Sequence, residues 1–183
     1  MVYTMTRRAV TSAAALTGML LAACGGREAG GDWTMRVDTV RADGSHGTRL
    51  TAWLRATGKE GPEGEARTHA VVLSFDCFRD DATVAIMTDQ ALRQGSTDVG
   101  LTVDSAPPRK IKGFAGTTST GGKVLLTIPQ DRLIAWLSGH GRALVDYADG
   151  AGSYKTTAEF PIRGLEKQSA SFLTACAKRG EGS

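Results

Sequence analysis

The segment Thr68-His69-Ala70-Val71-Val72-Leu73-Ser74-Phe75-Asp76-Cys77-Phe78 decides the fold class. Val71, Leu73, Phe75 and Cys77 recur at every second position. Side chains in an extended chain alternate between two faces, so these four share one face and predict a half-buried β-strand. Arg79-Asp80-Asp81 follows as a turn, and Thr83 to Thr88 reads as the returning arm of a hairpin.

The same period runs outward in both directions. Upstream, Trp33 to Val40 and Thr48 to Arg55 read as strands, the second with Leu50, Ala52 and Leu54 on one face and Trp53 on the other. Gly58 to Glu65 reads as a polar loop. Downstream, Asp98 to Asp104, Lys110 to Thr118, Lys123 to Ile128, Arg142 to Ala148 and Ser153 to Ile162 continue the series, bounded by Gly, Pro, Asp or Ser turn residues. Two stretches break it. Pro129 opens a short helix with Leu133, Ile134 and Leu137 inward and Gly139 closing it. After Gly164 a final helix runs to about Lys178, with Leu165, Ser169, Phe172, Leu173 and Cys176 on one stripe. The expected fold is mainly β: an antiparallel β-sandwich or curved sheet of about eight to nine strands, with a short inserted helix and a C-terminal helix.

The first 24 residues have a different character. Arg7 and Arg8 precede the apolar run Ala13 to Leu21, and Ala22 and Ala23 precede Cys24. A positive start, a short apolar core and small residues form the layout of a secretory signal, too short for a comfortable membrane span. Leu21-Ala22-Ala23-Cys24 resembles the lipobox of bacterial lipoproteins. The resemblance implies cleavage between Ala23 and Cys24, a diacylglycerol on the Cys24 thiol and acylation of the new amine. Each buried lipid CH₂ contributes about 0.8 kcal/mol, so two or three chains hold a protein firmly on a membrane. The expected organisation is a signal peptide (1–23), the lipidated Cys24 with a flexible tether (24–32), one β-rich domain (33–179) and a disordered tail (180–183). The expected location is the cell envelope: the outer membrane facing the periplasm in a Gram-negative cell, or the outer face of the cell membrane in a Gram-positive one.

The chain carries 22 Lys+Arg against 19 Asp+Glu. Arg7 and Arg8 lie in the segment expected to be removed, which leaves the remainder nearly neutral. A nucleic-acid binder needs a lasting basic surface, so that partner is not expected. Once Cys24 is set aside, Cys77 and Cys176 remain as an even pair. Both periodicities turn their sulfurs inward, and an exported compartment is oxidising enough to join them. Two buried free thiols are the alternative. A metal site fits poorly, because no CxxC occurs and His46, His69 and His140 are scattered.

A second resemblance covers most of residues 33–176. Its parts are the cysteine strand Val71–Cys77, the paired strand Thr83–Ile86, the helix Leu133–Leu137, then Phe160-Pro161-Ile162-Arg163-Gly164-Leu165 and Phe172-Leu173-Thr174-Ala175-Cys176. Together they resemble type VI secretion-associated TagO-like exported proteins. That resemblance implies a fold and a compartment, not an activity.

Sequence motifs for chemistry are few. Gly116 to Lys123 lacks the lysine spacing of a phosphate loop and reads as a hairpin turn. No G-x-S-x-G, H-E-x-x-H or S-x-x-K occurs. Ser45-His46 sits in a turn, His140 in a linker, and His69 at the start of a strand, half buried. Asp76, Asp80 and Asp81 gather near one turn and offer oxygens to Ca²⁺, although not at EF-hand spacing. Trp53, on the polar side of its strand, marks a contact surface or packs beneath the Gly58–Glu65 loop. No catalytic residue, metal or cofactor is expected. The leading expectation is a non-enzymatic, membrane-anchored binding or accessory module for an envelope protein or cell-wall partner. The alternatives are an envelope-acting hydrolase and an inhibitor or immunity lipoprotein.

Overall fold

The computed structural model describes residues 33–42, 45–61, 67–78, 81–152 and 155–180. The expected signal peptide, the cleavage site at Ala23, Cys24, the tether and the tail beyond Gly180 lie outside the described residues. Nine strands and two helices follow in order: β1 (Thr34–Ala42), β2 (Ser45–Glu60), β3 (Arg67–Phe78), β4 (Asp81–Thr88), β5 (Gly95–Val103), β6 (Arg109–Thr118), β7 (Gly121–Leu126), α1 (Gln130–Leu137), β8 (Arg142–Ala148), β9 (Lys155–Pro161) and α2 (Leu165–Gly180). The protein is mainly β and antiparallel, with an inserted and a C-terminal helix, as the periodicities predict.

The strands form one curved antiparallel sheet that closes on itself, a more specific form than the expected sandwich or curved sheet. They pair in the order β1-β2-β3-β4-β7-β6-β5-β8-β9, and β9 pairs back onto β2. Eight strands therefore close into a barrel, and β1 hangs outside the ring on β2. Closure comes from the stretch expected to be a loop. β2 continues through Gly58, Lys59 and Glu60, which face Ala158, Thr157 and Thr156 of β9. Gly58 permits the seam: a Cβ there would lie 2.7 Å from a Val71 methyl and 2.8 Å from the Thr156 methyl. Glycine inside a strand commonly marks such a close approach or barrel corner. Ser45 and His46, expected in a turn, are the first residues of β2 opposite Ala42 and Arg41.

Alternating residues fill the barrel, as in other eight-stranded rings whose interior is just wide enough for side chains. Leu50, Leu54, Leu73, Phe75, Ile86, Val99, Val124, Val145, Tyr147 and Phe160 are all buried. Each such burial is worth roughly 1.5–3 kcal/mol. The helices plug one end: Leu133, Ile134 and Leu137 of α1 and Leu165 and Phe172 of α2 are buried. Trp33, just before β1, completes an aromatic cluster with Phe75 and Phe172, at centroid distances of 5.3 and 5.9 Å. The glycine-rich Gly116–Lys123 run is a tight hairpin, with Thr118 opposite Gly121. No helix among the described residues is long and apolar enough to cross a membrane.

Candidate functional site

At the helix-plugged end, four pieces of chain meet around an open apolar groove of about 860 Å³. Cys77 comes from the end of β3 and Ala82 from the start of β4. Thr127, Ile128 and Pro129 come from the link into α1, Gln130 and Asp131 from its first turn, and Leu173, Cys176 and Ala177 from α2. A volume between about 300 and 1,000 Å³ with mostly apolar walls is typical of a site for a small molecule or an inserted side chain.

Two fixed points hold the walls apart and in place. The first is the Cys77–Cys176 disulfide, with a Cα–Cα distance of 5.9 Å across 99 residues of sequence. The inward alternation of β3 and the apolar stripe of α2 bring the two sulfurs together, as the sequence predicts. The second is Gln130, buried at the start of α1. Its Nε2 donates to the backbone carbonyls of Asp76 (2.6 Å) and Thr83 (2.8 Å) and so bolts α1 to the β3–β4 hairpin. Its Oε1 lies 3.7 Å from Cys176 Sγ; the oxidised sulfur carries no hydrogen, so this is a packing contact. Sequence reading missed Gln130. A polar residue straight after Pro129, in the first turn of a helix that must bury itself, is the signal it offers.

The groove thus has aliphatic walls, a disulfide on one side and the Asp131 carboxylate in its lining. Asp76, beneath Gln130, has its carboxyl pushed above the usual range chiefly by burial. The Arg49 guanidinium, 3.2 Å away, and the charge of Lys123 act in the opposite direction. Asp76 pairs with Arg49 on the outer face of the β3–β4 hairpin, and Asp81, opposite Phe78, stands on that same face; Asp80 lies outside the described residues. Among the described residues no three His, Cys, Asp or Glu side chains gather as a metal site.

The opposite mouth of the barrel is polar. His69, inward-facing on β3, is held between two carboxylates: Nε2 is 2.9 Å from Glu60 Oε2 and Nδ1 is 3.2 Å from Asp89 Oδ1. Glu60 is nearly buried and belongs to the β2–β9 seam. Thr156, opposite Glu60, donates to Gln90 Oε1 at 3.2 Å, and the Gln90 amide donates to Thr88 Oγ1 at 3.3 Å. Burial pushes the Tyr147 phenol above its ordinary value. The neighbouring Thr88 and Thr156 hydroxyls oppose the rise without making a well-aligned hydrogen bond, and the charges of Asp89 and Glu60 add to it. His69 thus links β3 to β2 and to the segment after β4, while the Thr156–Gln90 hydrogen bond ties β9 to the same mouth. Neither Glu60 nor Asp89 is visible as a partner of His69 in the sequence, because β2, β3 and the β4–β5 link bring them together only in the fold.

The other expected positions fall elsewhere. His140 follows α1, half exposed, with Nδ1 2.9 Å from Asp104 Oδ2. The backbone amides of Gly141 and Arg142 donate to Asp104 Oδ1, both at 3.2 Å. The His140 hydrogen bond, helped by those amides and the His140 charge, holds the Asp104 carboxyl below its usual range. Trp53 sits on the outer face of β2, between Thr34 of β1 and Ser74 of β3. It is half buried, its Nε1 has no hydrogen-bond partner among the described residues, and the Arg55 guanidinium lies 6.0 Å from its ring centroid. Because Gly58–Glu60 belongs to the barrel wall, that part of the expected loop does not cover Trp53. Trp53 and the groove are therefore separate features, the one on the barrel wall and the other at its plugged end. Compared with protein-family models, curated proteins and solved structures, the chain matches none.

Proposed function

We propose that this protein is a lipid-anchored lipoprotein of the bacterial cell envelope, held by acyl chains on Cys24. Its barrel acts as a non-enzymatic binding module for an apolar segment of an envelope partner. The observation that carries the reading is the Cys77–Cys176 pairing beside the groove. A disulfide that ties the barrel to its last helix suits an oxidising compartment. It leaves Cys24, directly after Leu21-Ala22-Ala23, as the odd thiol of the chain. The groove supports the binding half of the reading, since its walls offer apolar contact and little chemistry. An envelope-acting hydrolase is the second reading; His69, bracketed by Glu60 and Asp89, is the observation that favours it.

Two measurements test the proposal. Cys24→Ser should move the protein from the membrane fraction to the soluble one; unchanged fractionation contradicts the anchor. For the groove, a photo-cross-linking residue placed at Ala82 should capture an envelope partner. Ala82→Trp, which fills the groove, should abolish capture by a second probe placed at Asp131. Capture unaffected by filling the groove contradicts the binding site. Turnover of envelope material that is lost in His69→Gln favours the hydrolase.

A further inference from the structure

We propose that β1 is the seam of a homodimer, pairing antiparallel with β1 of a second copy about a two-fold axis through Val37. The inference is independent of the lipid anchor and of the groove. Among the described residues β1 alone has a strand partner on one side only, because the other eight strands close on themselves. Its free edge carries unpaired backbone donors and acceptors, which folded proteins ordinarily pair, cover or blunt.

The side chains on this strand point to what covers it. Met35 and Val37 lie opposite Ala52 and Leu50 of β2. Both β2 residues are core-facing and fully buried, yet Met35 is 42% exposed and Val37 57% exposed. β1 thus extends the core face of the wall beyond the ring, where Trp33 packs on Phe172 of α2 but Met35 and Val37 remain exposed among the described residues. On the other face, Arg36 and Asp38 form an exposed pair at 2.6 Å.

The occupant follows from charge. Centred on Val37, an antiparallel copy sets Arg36 opposite Asp38 of its mate, and Asp38 opposite Arg36, on the same face. Opposite charges directly across a strand pair favour pairing, and like charges oppose it. Val37 then meets Val37 on the core-side face, next to Met35. The sequence around Val37 is self-complementary in this one register, which a second copy supplies at no cost in design. Edge pairing over a single strand buries less than a standard interface, so the dimer should be reversible.

Single cysteines in the full chain, isolated from membranes and mildly oxidised, test the register. Val37→Cys lies on the axis and should trap a dimer at least tenfold more efficiently than Thr34→Cys, whose two copies would stand about 20 Å apart along the strands. Adding Arg36→Asp places acid opposite acid and should cut the Val37→Cys yield about tenfold; adding Asp38→Arg to that should restore it. Retention of the Cys77–Cys176 bond in each variant checks that the barrel is intact. Equal yields at the two positions, no response to charge reversal, or trapping of a different protein in place of a second copy would overturn the proposal. The comparison of positions 37 and 34 stands even if a charge variant fails to fold.

Discussion

Gly58 stands opposite Ala158, and through that pair of the smallest side chains the second strand and the last strand meet to close the ring. Larger side chains at this point would hold the strands apart, so the barrel depends on what these residues lack.

Gly58→Ala should therefore destabilise the fold although alanine suits a strand no worse than glycine does. Its methyl would press on Val71 and Thr156, and overpacking of this kind costs about 1–3 kcal/mol. Gly116→Ala, with nothing near its added methyl, should change stability by less than about 0.5 kcal/mol. Urea unfolding of the two variants compares them; equal midpoints would show that the seam is slack.

The disulfide is expected to be a major tie. Cys77→Ala with Cys176→Ala removes a cross-link spanning 99 residues, worth up to ~4.7 kcal/mol in the chain-entropy account. Non-reducing peptide mapping should find the two residues joined, and the double variant should unfold at markedly lower denaturant. The same unfolding midpoint with and without reductant would count against it.

His69→Ala leaves the nearly buried Glu60 carboxylate without its partner. Breaking one side of such a pair costs about 3 kcal/mol or more. Glu60→Gln with His69→Gln, which removes the nearly buried carboxylate and leaves two polar side chains able to bond to each other, should recover part of the loss. Thermal melting of the three proteins decides; a harmless His69→Ala would mean that the carboxylates at this mouth are well hydrated.

Two carboxyls should push the acid stability profile in opposite directions. Asp104 is held low, so its contribution is fully present above the unfolded carboxyl value and is lost as pH falls through its lower folded value. Asp76 is held high, so its ionised form burdens the fold at neutral pH and that burden is relieved as pH falls through its folded value. Asp104→Asn should thus be less stable than the parent at neutral pH, with the gap closing in acid. Asp76→Asn should show the reverse trend. Denaturant midpoints across pH 2–7 check both signs.

Much of the architecture is legible in the sequence because it is local. The β3 alternation, the helix after Pro129, the stripe ending at Cys176 and the inward aim of both sulfurs each follow from neighbours a few residues apart. Closure is not local. Gly58-Lys59-Glu60 has no apolar alternation, so it reads as a loop, and only the approach of β9, almost 100 residues later, makes it a strand. The groove escapes for the same reason. Cys77 is marked by its chemistry, but Ala82, Ile128 and Leu173 look like ordinary apolar residues until four segments converge. The His69 clasp likewise joins residues from three elements, and nothing in the local pattern singles out Glu60 or Asp89.

The two ties that finish this molecule both reach from its first half to its last thirty residues. A chain emerging N-terminus first, from a ribosome or an export channel, holds the first only once Thr156 to Ala158 are out and the second only once Cys176 is. Until then the Gly58–Glu60 end of β2 has one unpaired edge and Cys77 has no mate. A chain halted before Thr156 leaves the β2 edge at Gly58–Glu60 without its partner strand, whereas one extended past Cys176 holds the residues for both ties. Sealing of the fold in this way waits on the single stretch from Thr156 to Cys176.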